Sequence, residues 1–131
     1  MSTTTILACG GVSNWDPIKY VDLCFSSDGS KWVPHGKLKT PRYAASSIAL
    51  TGDSSKLWVV GGFNKVALNT TELVHLNRTV EKGPLLQHPL MGHCIASHQD
   101  KIIITGGHYE TPNPTDTTIT KLTLHCQSQC I

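Results

Sequence analysis

One short phrase, an apolar strand-like run that ends in a Gly-Gly pair, occurs three times in this chain of 131 residues. The copies span residues 6–11, 57–62 and 102–107, so the glycine pairs are 51 and then 45 residues apart. Self-similarity at a period of about 20–50 residues is typical of repeat architectures, in which neighbouring units bury one another's apolar faces. The repeat therefore constrains the fold more than any other feature of the sequence.

A second phrase recurs in register between the glycine pairs. Trp32 lies nine residues before Pro41, and Val80 lies nine residues before Pro89. Strand-like segments follow the two prolines at residues 44–50 and 92–97. Short polar turns then lead into the next glycine pair, and their lengths differ only as hairpin loops ordinarily do.

The spacing of apolar residues predicts strands and no helix. Residues 6–9, 57–60 and 102–105 are nearly continuous apolar runs, which indicate strands covered on both faces. Residues 20–25 and 119–124 alternate along the chain and indicate half-buried strands nearer an edge. The sequence therefore predicts an all-β chain of about ten strands, built from a unit of four short strands in roughly 45–50 residues.

Glycine pairs at the ends of the apolar strands have a physical reason. A side chain there would block the close approach of a neighbouring backbone, and glycine lets the chain leave the strand with positive φ. The same requirement in each unit indicates the same environment in each unit. Four-stranded blades stacked around an axis provide it, because each inner sheet lies between two others.

These residues resemble the kelch family of β-propellers. The family pattern of apolar strand, Gly-Gly, alternating strand, tryptophan, Pro-Arg and small-residue strand is matched by residues 57–62, residues 20–25, Trp32, Pro41-Arg42 and residues 44–50. The resemblance covers residues 5 to about 124. It implies a kelch-type propeller fragment of roughly 2.5 blades, with units at residues 5–43, 44–91 and 92–124 and a tail at 125–131.

The second unit departs from the family pattern. Val80 stands where the tryptophan is expected, and Leu90 stands where the arginine is expected. His93 matches a position at which kelch repeats often carry histidine, whereas Ala45 occupies that position in the first unit. These differences limit the transfer of family properties to that unit.

Two and a half blades do not close a ring, since propellers have about four to eight. The strand count is three, then four, then three, so apolar faces and strand edges are left open at both ends. Either the chain is part of a longer one, or copies associate to complete the ring. For the chain alone, we expect self-association into a homo-oligomer, and a partner chain could also add strands at the open edges.

Composition and charge exclude several classes of partner. The formal net charge is +2, and the lysines are scattered singly, so nothing indicates a nucleic-acid partner. The longest apolar runs are far shorter than the roughly 20 residues of a membrane helix, so no membrane partner is expected. The N-terminal residues show no signal-peptide pattern, which makes the cytoplasm the default compartment. Two N-glycosylation sequons, at Asn69 and Asn77, leave an extracellular location open.

The chain has five cysteines, an odd number. Cys9, Cys24 and Cys94 lie in strand-like stretches, where we expect free thiols that behave as small apolar residues. Cys126 and Cys130 could form a disulfide or half of a metal site. No second ligand pair at zinc spacing accompanies them, so no structural zinc is expected.

The spacing of the histidines does not indicate a metal site. His88, His93 and His98 span roughly 33 Å of extended chain and cannot share one ion. His108 could approach His93 or His88, but no third ligand is evident. No nucleophile elbow or phosphate-binding loop occurs either. We therefore expect no cofactor, no metal and no enzymatic activity. The alternative is a fragment of a kelch-type metal enzyme or oxidase, a class that the family includes.

The loops that follow the glycine pairs and the loops that precede the small-residue strands are expected to share one rim. This rim is the predicted binding surface for a protein or peptide ligand, because Trp, Tyr and Arg often anchor interfaces and loops on rigid scaffolds often bind. Its candidate residues are Asn14, Trp15, Arg42, Asn64, Lys65, His88, His108 and Tyr109. For Arg42 the alternative is a brace within the repeat, and for Trp15 it is packing over Pro17.

The predicted function is therefore protein binding through one face of the propeller. The resemblance implies roles such as ubiquitin-ligase adaptor, actin organiser or extracellular scaffold. Fold alone does not choose among them.

Overall fold

A computed structural model describes residues 4–50, 55–108 and 122–125 of the chain. Every regular element within these ranges is a β-strand, and the strands pair in antiparallel sheets. The predicted all-β fold class is confirmed, and the sheets are consistent with a fragment of a kelch-type propeller. Among these residues no helix is long and apolar enough to cross a membrane.

Fourteen strands occur in the described part of the chain. In chain order they are β1 Ile6–Cys9, β2 Val12–Trp15, β3 Ile18–Tyr20, β4 Leu23–Ser27, β5 Trp32–Lys37, β6 Ser46–Leu50, β7 Lys56–Val60, β8 Phe63–Asn64, β9 Val66–Ala67, β10 Thr71–His75, β11 Val80–Lys82, β12 Met91–His98, β13 Lys101–His108 and β14 Leu122–His125. Three main sheets are formed, in the orders β1-β4-β5, β11-β10-β7-β6 and β12-β13-β14. The pairs β2-β3 and β8-β9 are short separate hairpins that follow the first two glycine pairs.

The middle sheet lies between the other two. Leu57, Val59 and Val74 on one of its faces form an apolar cluster with Cys24 and Leu38 from the first unit. Trp58, Val60 and Leu73 on the opposite face cluster with Leu86, Leu90, Ile102 and Ile104. The continuous apolar run of β7 is therefore buried on both faces, as its sequence predicts.

Within the described residues, the two outer sheets are each covered on one face only. In the first sheet the uncovered face carries Ile6, Leu23, Phe25 and Trp32, all exposed, and we call it the first open face. In the third sheet Ile103 is exposed while its neighbours Ile102 and Ile104 are buried. The third open face comprises Cys94, Ala96, Ile103 and Thr105, which pair across β12 and β13 and are exposed.

This arrangement corrects two expectations. The runs at residues 6–9 and 102–105 were expected to be covered on both faces, but Ile6 is 49% exposed and β13 alternates between buried and exposed positions. In β4 the buried positions are Cys24 and Ser27, and the apolar residues Leu23 and Phe25 are exposed. The reason is that an apolar run is buried on both faces only where sheets flank it on both sides, and in the described part of the chain only the middle sheet meets that condition.

The cysteines also differ from expectation. Cys9 and Cys24 face each other across β1 and β4, with their Cα atoms 4.1 Å apart, and form a disulfide. Cys94 is a free cysteine, as expected, but it is exposed instead of buried. Both expectations failed because they depended on which residues face each other across strands, which the spacing along the chain does not reveal. Cys126 and Cys130 lie outside the described residues.

The first glycine of each pair meets the predicted requirement where another sheet follows. Gly61 has φ +60, and a Cβ there would lie 2.5 Å from the Leu90 carbonyl oxygen. Gly10 is equally confined, because a Cβ would lie 2.6 Å from the Arg42 carbonyl oxygen. Gly106 also has positive φ, but no described atom would lie within 4 Å of its Cβ. Among the described residues, the first glycine of the pair is thus enclosed in two units and open in the third.

Candidate binding surface

Four aromatic rings meet where the first two units adjoin, and we call them the aromatic cluster: Trp15, Tyr20, Tyr43 and Phe63. Tyr43 is central. Its ring is 5.7 Å from that of Trp15 in an edge-on arrangement, 5.8 Å from that of Tyr20 in a stacked one, and 5.6 Å from that of Phe63. These separations lie within the range at which aromatic pairs attract one another.

Each ring is positioned by a different short element. Trp15 and Tyr20 come from the β2-β3 hairpin, and Phe63 begins the β8-β9 hairpin. Tyr43 lies in the segment that enters the second sheet, directly after Pro41-Arg42. The cluster therefore joins two loops that follow glycine pairs to one loop that precedes a small-residue strand.

Backbone hydrogen bonds fix this arrangement. The Tyr43 and Phe63 amides each donate to the other's carbonyl oxygen, at 3.1 and 2.8 Å. The Asn64 side-chain amide donates to the Pro41 carbonyl oxygen at 2.8 Å. The Lys65 amide donates to the Tyr20 hydroxyl oxygen at 3.2 Å. The three segments are thus held together by bonds that leave the outer rings accessible.

The cluster is open to solvent on its outer side. Trp15 is 69% exposed, and Ile18, which pairs with it across the β2-β3 hairpin, is exposed as well. Val66 and Lys65 are exposed at the neighbouring hairpin. The result is an aromatic and aliphatic surface with a lysine at its margin, supported by a rigid layer of rings. The edge-on contact with Tyr43 gives Trp15 a partner other than Pro17.

Arg42 lies below this surface and does not reach it. Its side chain is 1% exposed, and its guanidinium contacts the Glu72 carboxylate at 2.7 Å. The same group donates to the carbonyl oxygens of Gly61 and Thr70, at 2.8 and 2.9 Å. Burial lowers the pKa of the guanidinium, and the charge of Glu72 acts in the opposite direction. This geometry favours the bracing alternative for Arg42.

Glu72 completes the brace. Besides Arg42, its carboxylate accepts hydrogen bonds from the backbone amides of Lys39 and Thr40. The carboxylate therefore fastens the segment that connects the first sheet to the second. A buried charge with several donors around it is satisfied, so this pair does not require a ligand to complete it.

The candidate residues named from the sequence fall into three groups. Asn14, Trp15, Asn64 and Lys65 lie on the two hairpins of the aromatic cluster, and the Asn14 side chain donates to the Asp16 carbonyl oxygen. His88 is exposed in the loop before β12. The backbone of His108 pairs with that of Met91, and Tyr109 lies outside the described residues.

Sequence reasoning missed Tyr20, Tyr43 and Phe63 as members of this surface. The sequence did contain a signal for Phe63 and Tyr43, because Phe63 directly follows a glycine pair and Tyr43 directly follows Pro-Arg. Both positions lie at the loop ends that were expected to share a rim. Their mutual contact depends on the packing of two units, which no single repeat displays.

Of the three histidines at five-residue spacing, His93 alone is buried. It is 6% exposed, and neither ring nitrogen has a hydrogen-bond partner in the described structure. Burial lowers the pKa of the imidazole, and a weaker interaction with the Val60 backbone acts in the opposite direction. No group of three or more His, Cys, Asp or Glu side chains that could hold a metal occurs within the described ranges.

Comparison with known proteins finds similarity to kelch-repeat proteins. Over 89 residues the chain is 34% identical to Kelch repeat protein C2 of Vaccinia virus (strain Western Reserve) and 35% identical to Kelch repeat protein C2 of Camelpox virus (strain CMS). Each match covers 64% of this chain and 17% of the relative, so the similarity concerns a small part of those proteins. No protein-family model matches the chain.

Proposed function

We propose that this chain is a protein-interaction module that binds a protein or peptide through the rim containing the aromatic cluster. The observation that carries the proposal is the exposure of Trp15 on a layer of three further rings. A tryptophan that is 69% exposed gives up little core packing and offers a large apolar surface to a partner. Tryptophan and tyrosine are prominent among the residues that dominate interface energetics.

The support beneath the cluster favours binding over simple exposure. The two hairpins are tied to each other by the hydrogen bond from the Lys65 amide to the Tyr20 hydroxyl oxygen. The second hairpin is tied to the connecting segment by the Tyr43–Phe63 backbone pair and by the Asn64 side chain. Rings held in this way lose little conformational entropy when a partner packs on them. Asn14, Lys65 and His88 are assigned to the polar margin of the surface. His108 and Tyr109 remain members of the proposed rim by their place in the repeat.

We further propose that the open faces drive self-association. The first open face presents Ile6, Leu23, Phe25 and Trp32, and contiguous apolar surface of this kind marks interaction sites. In this proposal the stacked sheets are blade units at residues 5–43, 44–91 and 92–124. Each internal contact buries one face of a unit against the next, and a second copy would extend the same stacking.

Two tryptophans allow the two proposed contacts to be tested separately. Trp15 belongs to the rim and Trp32, which is 54% exposed, belongs to the first open face. Affinity purification of partners from cells is expected to lose bound proteins with Trp15→Ala and to retain them with Trp32→Ala. Light scattering is expected to give the opposite pattern, with a lower mass for Trp32→Ala alone. Circular dichroism confirms that both variants fold.

Two results would contradict the proposals. Equal partner recovery with Trp15→Ala and wild type would remove the rim from the binding surface. A monomeric wild-type chain at all concentrations would remove self-association while leaving the rim proposal in place. No observation on the described residues favours the enzymatic alternative.

A further inference from the structure

We propose that the open edge of β1 is a second binding site, which takes an extended peptide segment as an additional antiparallel strand. In the described part of the chain β1 pairs only with β4. The corresponding strands of the other two sheets, β7 and β13, are each covered on this side by another strand, β6 or β12. Among the residues that the structure describes, no strand therefore occupies the position beside β1 that β6 and β12 occupy in the other two sheets.

The backbone of β1 has the correct orientation for such an addition. The Cα atoms of Cys9 and Cys24 are 4.1 Å apart, a separation typical of the non-hydrogen-bonded pairs of an antiparallel ladder. The next pair along the two strands, Gly10 and Leu23, is hydrogen-bonded, as this alternation requires, because the Gly10 amide donates to the Leu23 carbonyl oxygen at 3.0 Å. By alternation, the amide and carbonyl groups of Cys9 and Leu7 point away from β4 and toward the open edge.

The edge also lacks the features that protect other edges. At the outer edges, β5 contains Pro34 and a register shift, and β11 carries Glu81 and Lys82. Prolines, bulges and charges of this kind discourage the pairing of a further strand. β1 has the sequence Ile-Leu-Ala-Cys and carries none of them. Of the edges of β1, β5 and β11, that of β1 is therefore the one suited to accept a further strand.

The strands that fill the equivalent position define the chemistry of the ligand. At the position that pairs with the equivalent of Cys9, β6 carries Ser46 and β12 carries Cys94. At the position that pairs with the equivalent of Leu7, β6 carries Ile48 and β12 carries Ala96. The ligand is thus an extended segment with a small residue facing Cys9 and an aliphatic residue two positions later facing Leu7. Backbone hydrogen bonds hold it, and these side chains set its register.

A synthetic peptide with the sequence of residues 43–50 tests the proposal directly. We expect saturable binding to the 131-residue chain, measured by fluorescence anisotropy of the labelled peptide. In its own sheet, Ser46 and Ile48 face Val60 and Trp58 as hydrogen-bonded pairs, by the same alternation. Backbone N-methylation at positions 46 and 48 is therefore expected to weaken binding at least tenfold. N-methylation at positions 47 and 49, whose amides point away, is expected to leave it within about threefold.

A matched pair of protein variants tests the edge itself. Leu7→Pro removes the amide at the open edge, and Leu7→Ala removes the same side-chain packing while keeping that amide. Only Leu7→Pro is expected to abolish peptide binding. If Leu7→Pro fails to fold, hydrogen exchange on the wild-type chain decides, since the peptide is expected to slow exchange at Leu7 and Cys9. Absence of saturable binding, equal effects of both methylation patterns, or protection of Leu7 and Cys9 before peptide is added would overturn the proposal.

Discussion

Arg42 and Glu72 form a buried ion pair that fastens the link between the first and second sheets. The guanidinium and carboxylate are 2.7 Å apart, and the two side chains are 1% and 2% exposed. The same carboxylate receives the backbone amides of Lys39 and Thr40, and the same guanidinium binds the carbonyl oxygens of Gly61 and Thr70. One pair thus connects the segment that leaves β5 to the strands of the next sheet.

Removal of either partner is expected to destabilise the chain strongly. Arg42→Ala leaves the Glu72 charge buried without its cation, and loss of one member of a buried pair costs about 3–5 kcal/mol. The measurement is the free energy of unfolding from urea denaturation. Lys65→Ala, at an exposed position, is the control and is expected to change it by no more than about 0.5 kcal/mol. Similar values for the two variants would contradict the bracing role.

Two glycines at the same position of the repeat are expected to differ in their tolerance of alanine. Gly61→Ala and Gly106→Ala both place a Cβ on a backbone with positive φ, which costs about 1–2 kcal/mol. At Gly61 the Cβ also meets the Leu90 carbonyl oxygen, whereas at Gly106 it meets no described atom within 4 Å. Gly61→Ala should therefore lower the midpoint of urea unfolding clearly more than Gly106→Ala. Equal losses would mean that Gly106 is enclosed in solution.

Reduction of the Cys9–Cys24 disulfide is expected to weaken the first sheet. The two residues are 15 positions apart, and a loop of about that length corresponds to about 3 kcal/mol in the loop-entropy description of cross-links. Cys24→Ala, or reductant added to the wild-type chain, should lower the free energy of unfolding by an amount of this order. Cys94→Ser, at an exposed free cysteine, is the matched control and should behave like the wild type. A wild-type stability that does not respond to reductant would contradict the prediction.

The buried His93 is expected to make the chain less stable in mild acid. Its pKa is lowered in the folded state because burial penalises the charged imidazole. The unfolded chain therefore takes up the proton first, and stability falls as the pH drops below about 6.5, the ordinary histidine value. The decline ends below the folded-state pKa. Above that window this histidine contributes no pH dependence.

Urea unfolding between pH 8 and pH 5 measures the effect. His93→Gln, which cannot be protonated in this range, should have a flatter profile than the wild type. His98→Gln changes an exposed histidine of the same sheet and should retain the wild-type slope. A wild-type slope in His93→Gln would assign the acid sensitivity to other groups.

The sequence predicts the order of the strands better than their surroundings. The Gly-Gly phrase located β1, β7 and β13, and the apolar run of β7 was correctly expected to be buried on both faces. The identical pattern at Ile6 and Ile103 predicted the wrong burial, because burial depends on a neighbouring sheet as well as on the strand itself. Periodicity along one strand carries no information about that neighbour.

The candidate surface was predictable in outline only. Trp15 and Asn64 were placed on shared loops from the order of strands, and the two hairpins do meet. Tyr43 and Tyr20 joined the surface through stacking on each other and contact with Phe63 of the second unit, and Cys9 paired with Cys24 through the register of β1 and β4. Contacts across strands and units depend on three-dimensional registration, which residue spacing alone does not determine.

The first and third open faces differ in the size of their side chains, so the two ends of the stack of sheets are not equivalent. The first carries bulky side chains such as Phe25 and Trp32, whereas the third carries Ile103 among smaller residues such as Ala96. A contact that repeats the internal stacking joins the third face of one copy to the first face of another, so it is heterologous and leaves a free face at each end. Such contacts close into a ring when the rotation per copy divides a full turn, and otherwise they grow into a filament.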